Sequence, residues 1–218
     1  MRKFCLTIIV LAGFSKALFA QFGNCTASEM QTYTDRETGN TITILTDTLK
    51  NDRFLYQTDP MWTHDGKYLL FRSSSRANDK KIERTLPNGE KRSWTPTQIY
   101  FIEMATGQII QATEGPDLGS AFLANKSNRM FISRKEKEDW NMYVMDLDKF
   151  FADVKKGKVG KPTAYETLLG TFPTSMGRPG GYAIDCNDDY AYITVEREGT
   201  EEEKERMAKN AFLPESNQ

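Results

Sequence analysis

The chain of 218 residues carries 29 Lys and Arg against 30 Asp and Glu, and is 39% hydrophobic, 11% aromatic and 27% charged. That profile excludes a disordered or collagen-like polymer and supplies enough apolar material for a packed core. A formal charge of −1 with no long basic block leaves no electrostatic footprint for nucleic acid, so none is expected as a partner.

Arg2 and Lys3 precede an apolar run from Phe4 to Phe14, and Ala17-Leu18-Phe19-Ala20 ends on a small residue before Gln21. Residues 1–20 read as a cleaved secretory signal peptide, its apolar run being short for a spanning helix. An uncleaved anchor is one alternative. A lipoprotein is another, with Cys25 as acceptor behind the poor approach sequence Phe22-Gly23-Asn24. Cleavage removes three of the 29 bases and none of the 30 acids, leaving a mildly acidic protein of charge −4. It is expected to be secreted or periplasmic, without a membrane span. Cys25 and Cys186 then remain; an oxidising compartment would let them pair, and their separation in sequence leaves pairing and free thiols both open. The absence of Cys-x-x-Cys excludes zinc ribbons and thioredoxin-type chemistry.

The segment Asp35 to Thr46 reads as two strands around Thr38-Gly39-Asn40. Asp59 to Phe71 reads as a hairpin with an Asp65-Gly66 turn, Gln98 to Met104 as a third strand, and Ile109 to Thr113 as a fourth beyond Thr106-Gly107. The unit recurs. Ser120 to Ala124, Met130 to Arg134 and Asn141 to Leu147 supply three strands, and Gly181 to Asp185 with Tyr190 to Glu196 a further hairpin turning at Asn187-Asp188. Tyr68, Met130 and Tyr190 align at separations of 62 and 60. Regular copies of short strands predict an all-β chain, an incomplete β-propeller of four-stranded antiparallel blades with about two and a half blades present. A β-sandwich is the competing architecture.

Residues 21–218 therefore form one partial propeller domain. Its parts are 30–46 (outer strands of a closing blade), 57–115 (a blade), 116–170 (a blade) and 177–218 (an incomplete blade with a charged helical insertion). Asp35 to Thr46 resembles Glu103 to Thr113, the outer strands of a blade, whereas the last unit has inner strands only. Such a chain reads as part of a longer or truncated propeller. Exposed strand edges and uncovered faces predict self-association.

Asp59 to Phe71 together with Ile99-Tyr100-Phe101, Thr106-Gly107 and Ala112-Thr113 resembles the propeller repeat of the Tol-system periplasmic protein and its relatives. The Asp35 to Thr46 opening, the Thr113-Glu114-Gly115 end of the first full blade and the order of segments are more similar to oligogalacturonate lyase. The likeness covers roughly residues 30–195. It implies the amino-terminal part of a seven-bladed propeller that cleaves oligogalacturonides, acidic pectin oligomers, by β-elimination. It also implies a divalent metal, typically manganese, held by three His and a Gln. Neutral imidazoles suit that borderline ion, which stabilises the enolate-like charge once a base takes the proton beside the carboxylate. This sequence has one histidine, so no metal ligand and no catalytic residue is carried over, and the stretch alone is expected to be inactive. A non-catalytic periplasmic propeller mediating protein–protein interaction is the alternative.

His64, before Asp65-Gly66, reads as a cap on an exposed turn, and Trp62 and Phe122 read as blade-packing residues. Arg72 and Arg134 align at the end of the second strand, the end facing the mouth of a propeller, and Arg178 enters the third blade nearby. These three are the candidate substrate-binding residues, because guanidinium groups hold carboxylates bidentately; solvated rim charge is the plainer reading. The loop from Ser74 to Thr97 holds Arg76, Lys80, Lys81, Arg84, Lys91 and Arg92 against Asp79, Glu83 and Glu90, which suits a polyanionic glycan. Glu201 to Arg206, with Glu202 and Arg206 at helical spacing, reads as a solvated helix. No Gly-x-Ser-x-Gly, phosphate-binding glycine loop or His-Glu-x-x-His occurs.

Overall fold

Short apolar runs become antiparallel strands here because alternate side chains give each run two faces to bury, while Asp, Asn and Gly between runs let the chain reverse. The computed structural model describes residues 22–77, 81–85, 89–115, 118–137, 139–172 and 178–196; the signal segment 1–20 and the charged segment Thr200 to Asn210 lie outside them. The chain opens with β1 (Cys25–Thr26), β2 (Gln31–Thr34), β3 (Thr41–Ile44) and β4 (Asp52–Arg53). Next come β5 (Tyr68–Ser73), β6 (Ile82–Thr85), β7 (Lys91–Trp94), β8 (Gln98–Glu103) and β9 (Ile109–Gln111). The strands β10 (Leu118–Leu123), β11 (Arg129–Glu136) and β12 (Asp139–Asp146) lead into the helix α1 (Leu147–Lys155). A 3-10 turn at Pro162–Ala164, β13 (Glu166–Phe172), β14 (Arg178–Ile184) and β15 (Ala191–Glu196) follow.

Two sheets are broad. The first has the order β1-β9-β8-β5-β4 and the second β10-β11-β12-β13, while β2–β3, β6–β7 and β14–β15 are two-stranded. The architecture is all-β, antiparallel and propeller-like, with one α-helix among the described residues. In the first blade the expected inner strand is short: Trp62 makes a single bridge to Leu69, and the pairing resumes only at β4, with Arg53 opposite Arg72. Asp59-Pro60 stands in that gap, where proline has no N–H to give a ladder. In the second blade the third strand ends at Asp146, and the fourth, β13, arrives only after α1.

Apolar side chains fill the spaces between successive sheets. Leu70, Phe101 and Ile110 of the first blade meet Leu123, Met130 and Ile132 of the second in the largest core. On the opposite face of the first blade, Phe71, Tyr100 and Ile102 pack with Leu45, which follows β3. Phe122, Phe131 and Met142 on the far face of the second blade meet Tyr182, Ile184 and Ile193 of β14–β15. The sheets thus stack in chain order, each covering its predecessor, as blades do.

The helix α1 was not expected from the repeat. Asp146 caps it, its side chain accepting from the Lys149 N–H at 2.9 Å, and Leu147, Phe150, Phe151 and Val154 form one buried stripe. Gly157, at φ 63°, ends it in a left-handed turn. The stripe lies across the first blade: Phe151 stacks on Tyr68 with centroids 3.6 Å apart, and Phe22 packs on Phe150 at 5.0 Å. An insertion in the second blade therefore fastens it to the first.

The hairpin turns fix the repeat length. Thr63 N–H donates to the Tyr68 carbonyl at 3.0 Å, Ala124 to Arg129 at 2.9 Å and Asp185 to Tyr190 at 3.0 Å. Equivalent residues are therefore Tyr68, Arg129 and Tyr190, 61 residues apart each time (68 to 129, 129 to 190). The sequence alignment through Met130 is off by one at the second copy, so the equivalent of Arg72 is Ser133, and that of Trp62 is Leu123. A one-residue slip exchanges the two faces of a strand. The outer turn repeats as well. Asp35 N–H donates to Asn40 and Gly39 N–H to Asp35, just as Glu103 N–H donates to Gln108 and Gly107 N–H to Glu103. The glycines have φ 69° and 72°, a left-handed conformation that favours this residue. The pair β2–β3 is thus the counterpart of β8–β9, as the sequence resemblance implies, and β14–β15 is the counterpart of an inner pair.

Candidate functional site

Where β5 ends and β8 and β10 begin, a cavity of about 1060 Å³ opens between the first and second blades. Arg72 lines it, on the same face of β5 as Leu70 and therefore turned toward the second blade. Arg53 lies directly opposite Arg72 in the β4–β5 ladder and lines the same cavity, so two guanidinium groups project side by side from one face. Both are exposed, and Arg53 donates through Nε to Asn51 Oδ1 at 3.2 Å. Neither forms an ion pair among the described residues. Like charges at directly opposed positions cost stability, and a bound anion would relieve that cost.

Uncharged groups surround the arginines. Trp94, 39% exposed at the end of β7, and the exposed Tyr56 offer flat apolar faces, while Gln57, Thr58 and Ser120 offer hydrogen-bonding groups; Asp59 is the single acid in the described lining. The wall on the side of the second blade depends on Gly119. A Cβ there would collide with Ser133 Oγ and meet Trp140 Cζ3 at 2.7 Å, and the β10–β11 register shifts between Leu118 and Ala121. Ser133 Oγ accepts from the Ser120 N–H at 2.8 Å and anchors this bulge at the rim. At the base, Ile99 N–H donates to Thr113 Oγ1 and Thr113 donates to Gln98 Oε1, each at 2.8 Å, so the buried polar groups that start β8 are satisfied.

Of the three arginines read from the sequence, Arg72 and Arg134 have described side chains, and these have different partners. Arg72 lines the cavity. Arg134 faces the same inter-blade gap from β11 but is held by Glu166, whose two carboxylate oxygens accept from its two terminal nitrogens at 3.0 Å each. Burial lowers the Arg134 pKa, but the bonds to Glu166 outweigh it and raise it on balance. Arg178 begins β14 opposite Glu196, and its side chain lies outside the described residues. Within the basic loop from Ser74 to Thr97, β6 and β7 pair antiparallel. Its Arg76 is spoken for: Nε donates to Asp52 at 2.8 Å and Nη1 to Glu29 at 2.9 Å, beneath which Phe71 lies 5.4 Å from the guanidinium. Lys81 and Lys91 are exposed, and Arg92 pairs with Glu90 at 3.4 Å. Sequence reasoning missed Arg53, since nothing in residues 47–58 repeats and only the ladder brings it beside Arg72.

His64 sits in an exposed turn, as read, with Nδ1 3.0 Å from the Asn125 carbonyl of the next blade. Phe122 is buried against Phe131 and Tyr182, whereas Trp62 is 48% exposed. Cys25 and Cys186 are both free and exposed. Among the described residues no group of three or more His, Cys, Asp or Glu is placed to hold a metal ion, and no helix is long and apolar enough to cross a membrane. A second cavity of about 1030 Å³ lies between β1 and the segment after α1, but its described lining includes the acid Glu114 with Lys155 and Lys161 and none of the candidate residues.

No family model and no curated protein matches the chain. Solved structures do. An oligogalacturonate lyase in complex with manganese superposes with TM-score 0.51 and 19% identity, over 77% of this chain and 36% of that one. The fold is shared with oligogalacturonate lyase. A second such lyase, from Vibrio parahaemolyticus, matches with TM-score 0.52 and 20% identity, over 76% of this chain and 35% of its own. The chain thus spans about a third of the length of the oligogalacturonate lyases it resembles.

Proposed function

We propose that this chain recognises the carboxylates of an acidic oligosaccharide, an oligogalacturonide, in the cavity between its first two blades, as part of a lyase-like propeller. The observation that carries this reading is the cross-strand pair Arg53 and Arg72, two cations held side by side with no acid bonded to them among the described residues. Each guanidinium offers parallel N–H donors at the spacing of a carboxylate, and Trp94 offers a surface for the apolar face of a sugar ring. Successive uronates would place one carboxylate on the arginines and a ring against Trp94. These residues bind and orient; none is assigned the base.

The manganese of the first structural neighbour belongs, in this reading, to β-elimination by the intact protein. The described residues do not fit a site of His and Gln donors: His64 is engaged at the Asn125 carbonyl, and no ligand cluster surrounds it. Secretion to the periplasm or beyond, after loss of residues 1–20, would bring the protein to pectin-derived substrates.

Isothermal titration of the purified protein with trigalacturonide tests the reading. Binding should be saturable and should weaken by about 1.5–3 kcal/mol for each of Arg53→Gln and Arg72→Gln, the worth of a charge-assisted hydrogen bond. A neutral trisaccharide of similar size should not respond. Equal affinity for the charged and neutral sugars would remove the proposal.

A further inference from the structure

The ladder that sets Arg53 beside Arg72 is only two residue pairs long, Asp52 opposite Ser73 and Arg53 opposite Arg72. Beyond Arg53 the chain leaves the sheet, and among the described residues it makes no further ladder pair before Trp62. So short a ladder fixes a strand weakly, and the like charges that face each other across it push the strands apart. A further hold on β4 is needed to keep the two guanidinium groups together.

That hold comes from behind the sheet. Successive side chains of a strand point to opposite faces, so Asp52 turns away from the cavity, toward the face of β5 that carries Phe71. Arg76 meets it there, over Phe71: Nε donates to Oδ1 at 2.8 Å and Nη2 to Oδ2 at 2.6 Å. The same guanidinium donates through Nη1 to Glu29 Oε1 at 2.9 Å, and Glu29 accepts from the Asp47 N–H at 2.8 Å. The Arg76 and Asp52 side chains are 7% and 9% exposed, so water competes little for their bonds. On the front of β4 the ties are looser. Asn51 donates to Ser74 Oγ and accepts from Arg53 Nε, but these bonds lie in the open, where water competes for them.

We propose that Arg76 is the positioning residue of the arginine pair: its two bonds to Asp52 hold β4 against β5 and so keep the Arg53 guanidinium beside that of Arg72. The inference rests on the reading of those two arginines as a carboxylate site. Neither Arg76 nor Asp52 is among the described residues that line the cavity, so both act through Arg53. Arginine suits the task because one planar fork serves Asp52 and Glu29 at once, which the point charge of a lysine does not. Charge alone predicts the opposite role for Asp52. Removing an acid near a cationic site strengthens the binding of an anion, whereas releasing β4 weakens it. The sign of the change therefore separates positioning from electrostatics.

Titration calorimetry with trigalacturonide, together with amide exchange, tests the clasp on the parent and three variants. Asp52→Asn keeps the shape of the side chain and leaves Arg76 paired with Glu29, so it should stay folded by circular dichroism, as should Arg76→Lys. Each should bind trigalacturonide about tenfold more weakly than the parent, the loss of a charge-assisted contact to a displaced Arg53. Amide exchange should quicken at residues 51–54 in both. Glu166→Gln breaks another buried arginine–carboxylate pair, away from β4, and should bind no more weakly than the parent, since lost stability by itself leaves the affinity of the folded protein unchanged. If Arg76→Lys does not fold, Asp52→Asn decides. Binding by Asp52→Asn as tight as the parent's or tighter, or an equal loss in Glu166→Gln, would overturn the role of Arg76. If the parent itself does not bind trigalacturonide, the carboxylate reading falls and amide exchange alone decides the clasp: quickening confined to residues 51–54 upholds the hold on β4, and parent-like exchange overturns it.

Discussion

Arg134 and Glu166 form a two-pronged ion pair across β11 and β13, with both nitrogen–oxygen distances at 3.0 Å and the Glu166 side chain only 2% exposed. Glu166 leads out of the 3-10 turn into β13, so this pair also fixes where the strand restarts after the helix. Removing one partner strands the other charge. Glu166→Gln should destabilise the protein by about 2–3 kcal/mol, below the ~3–5 of a fully buried pair because Arg134 keeps some water contact. Arg134→Gln should lower the melting temperature and leave trigalacturonide affinity within about twofold of the parent. Chemical denaturation and titration calorimetry on the same two variants separate these effects.

Trp94 offers the aromatic surface on the cavity wall. Trp94→Ala should weaken trigalacturonide binding by roughly 1–2 kcal/mol through lost apolar contact, with little change in stability because the residue is already partly exposed. Binding to the parent should also shift tryptophan emission, and that shift should vanish in the variant while Trp62 and Trp140 continue to fluoresce.

Asp65 makes stability pH-dependent at the acid end. Its partial burial acts to raise the pKa, but hydrogen bonds from Lys67 and Thr63 outweigh it and hold the carboxyl at about 2, against an ordinary 3.8. A depressed folded-state pKa contributes stability above 3.8 that is lost as pH falls toward 2. Asp65→Asn should therefore be less stable than the parent at neutral pH, and the difference should shrink across that window. Urea melts between pH 2 and pH 6 would show it, and a gap unchanged down to the lowest pH would contradict the assignment.

Asp188 ties the third hairpin to the second blade. It accepts from the N–H groups of Asn125 and Lys126 at 2.6 and 2.8 Å and from Ser127 Oγ at 3.2 Å, while its own φ is 65°. Asp188→Gly keeps the left-handed turn at no steric cost but deletes these acceptors, so the loss should be about 1–3 kcal/mol and confined to the bonds. Amide exchange should quicken first in β14–β15.

The blade pattern was legible because turns announce themselves. Asp65-Gly66 and Thr106-Gly107 mark reversals whose geometry the chain repeats, and apolar runs such as Tyr68 to Phe71 bury on both faces. The helix α1 was also written in the sequence, as a capping Asp146 followed by apolar residues at 147, 150, 151 and 154, but the expectation of a further strand hid it. Register was less readable. Aligning Met130 with Tyr68, one residue from the hydrogen-bonded equivalent Arg129, made Arg72 and Arg134 look like counterparts when they face one gap from opposite walls. The site itself needed three dimensions, since Arg53 joins Arg72 only through a two-residue ladder on the far side of an irregular segment. The choice between a free arginine and a paired one, as at Arg76 and Arg134, depends on acids distant in sequence.

A crystal structure of the protein with digalacturonide tests the assignment of this cavity most directly. The account predicts a uronate carboxylate within about 3 Å of the Arg53 and Arg72 guanidinium nitrogens, with a sugar ring lying against Trp94. Density for the sugar elsewhere on the blades, with both arginines still facing water, would contradict it.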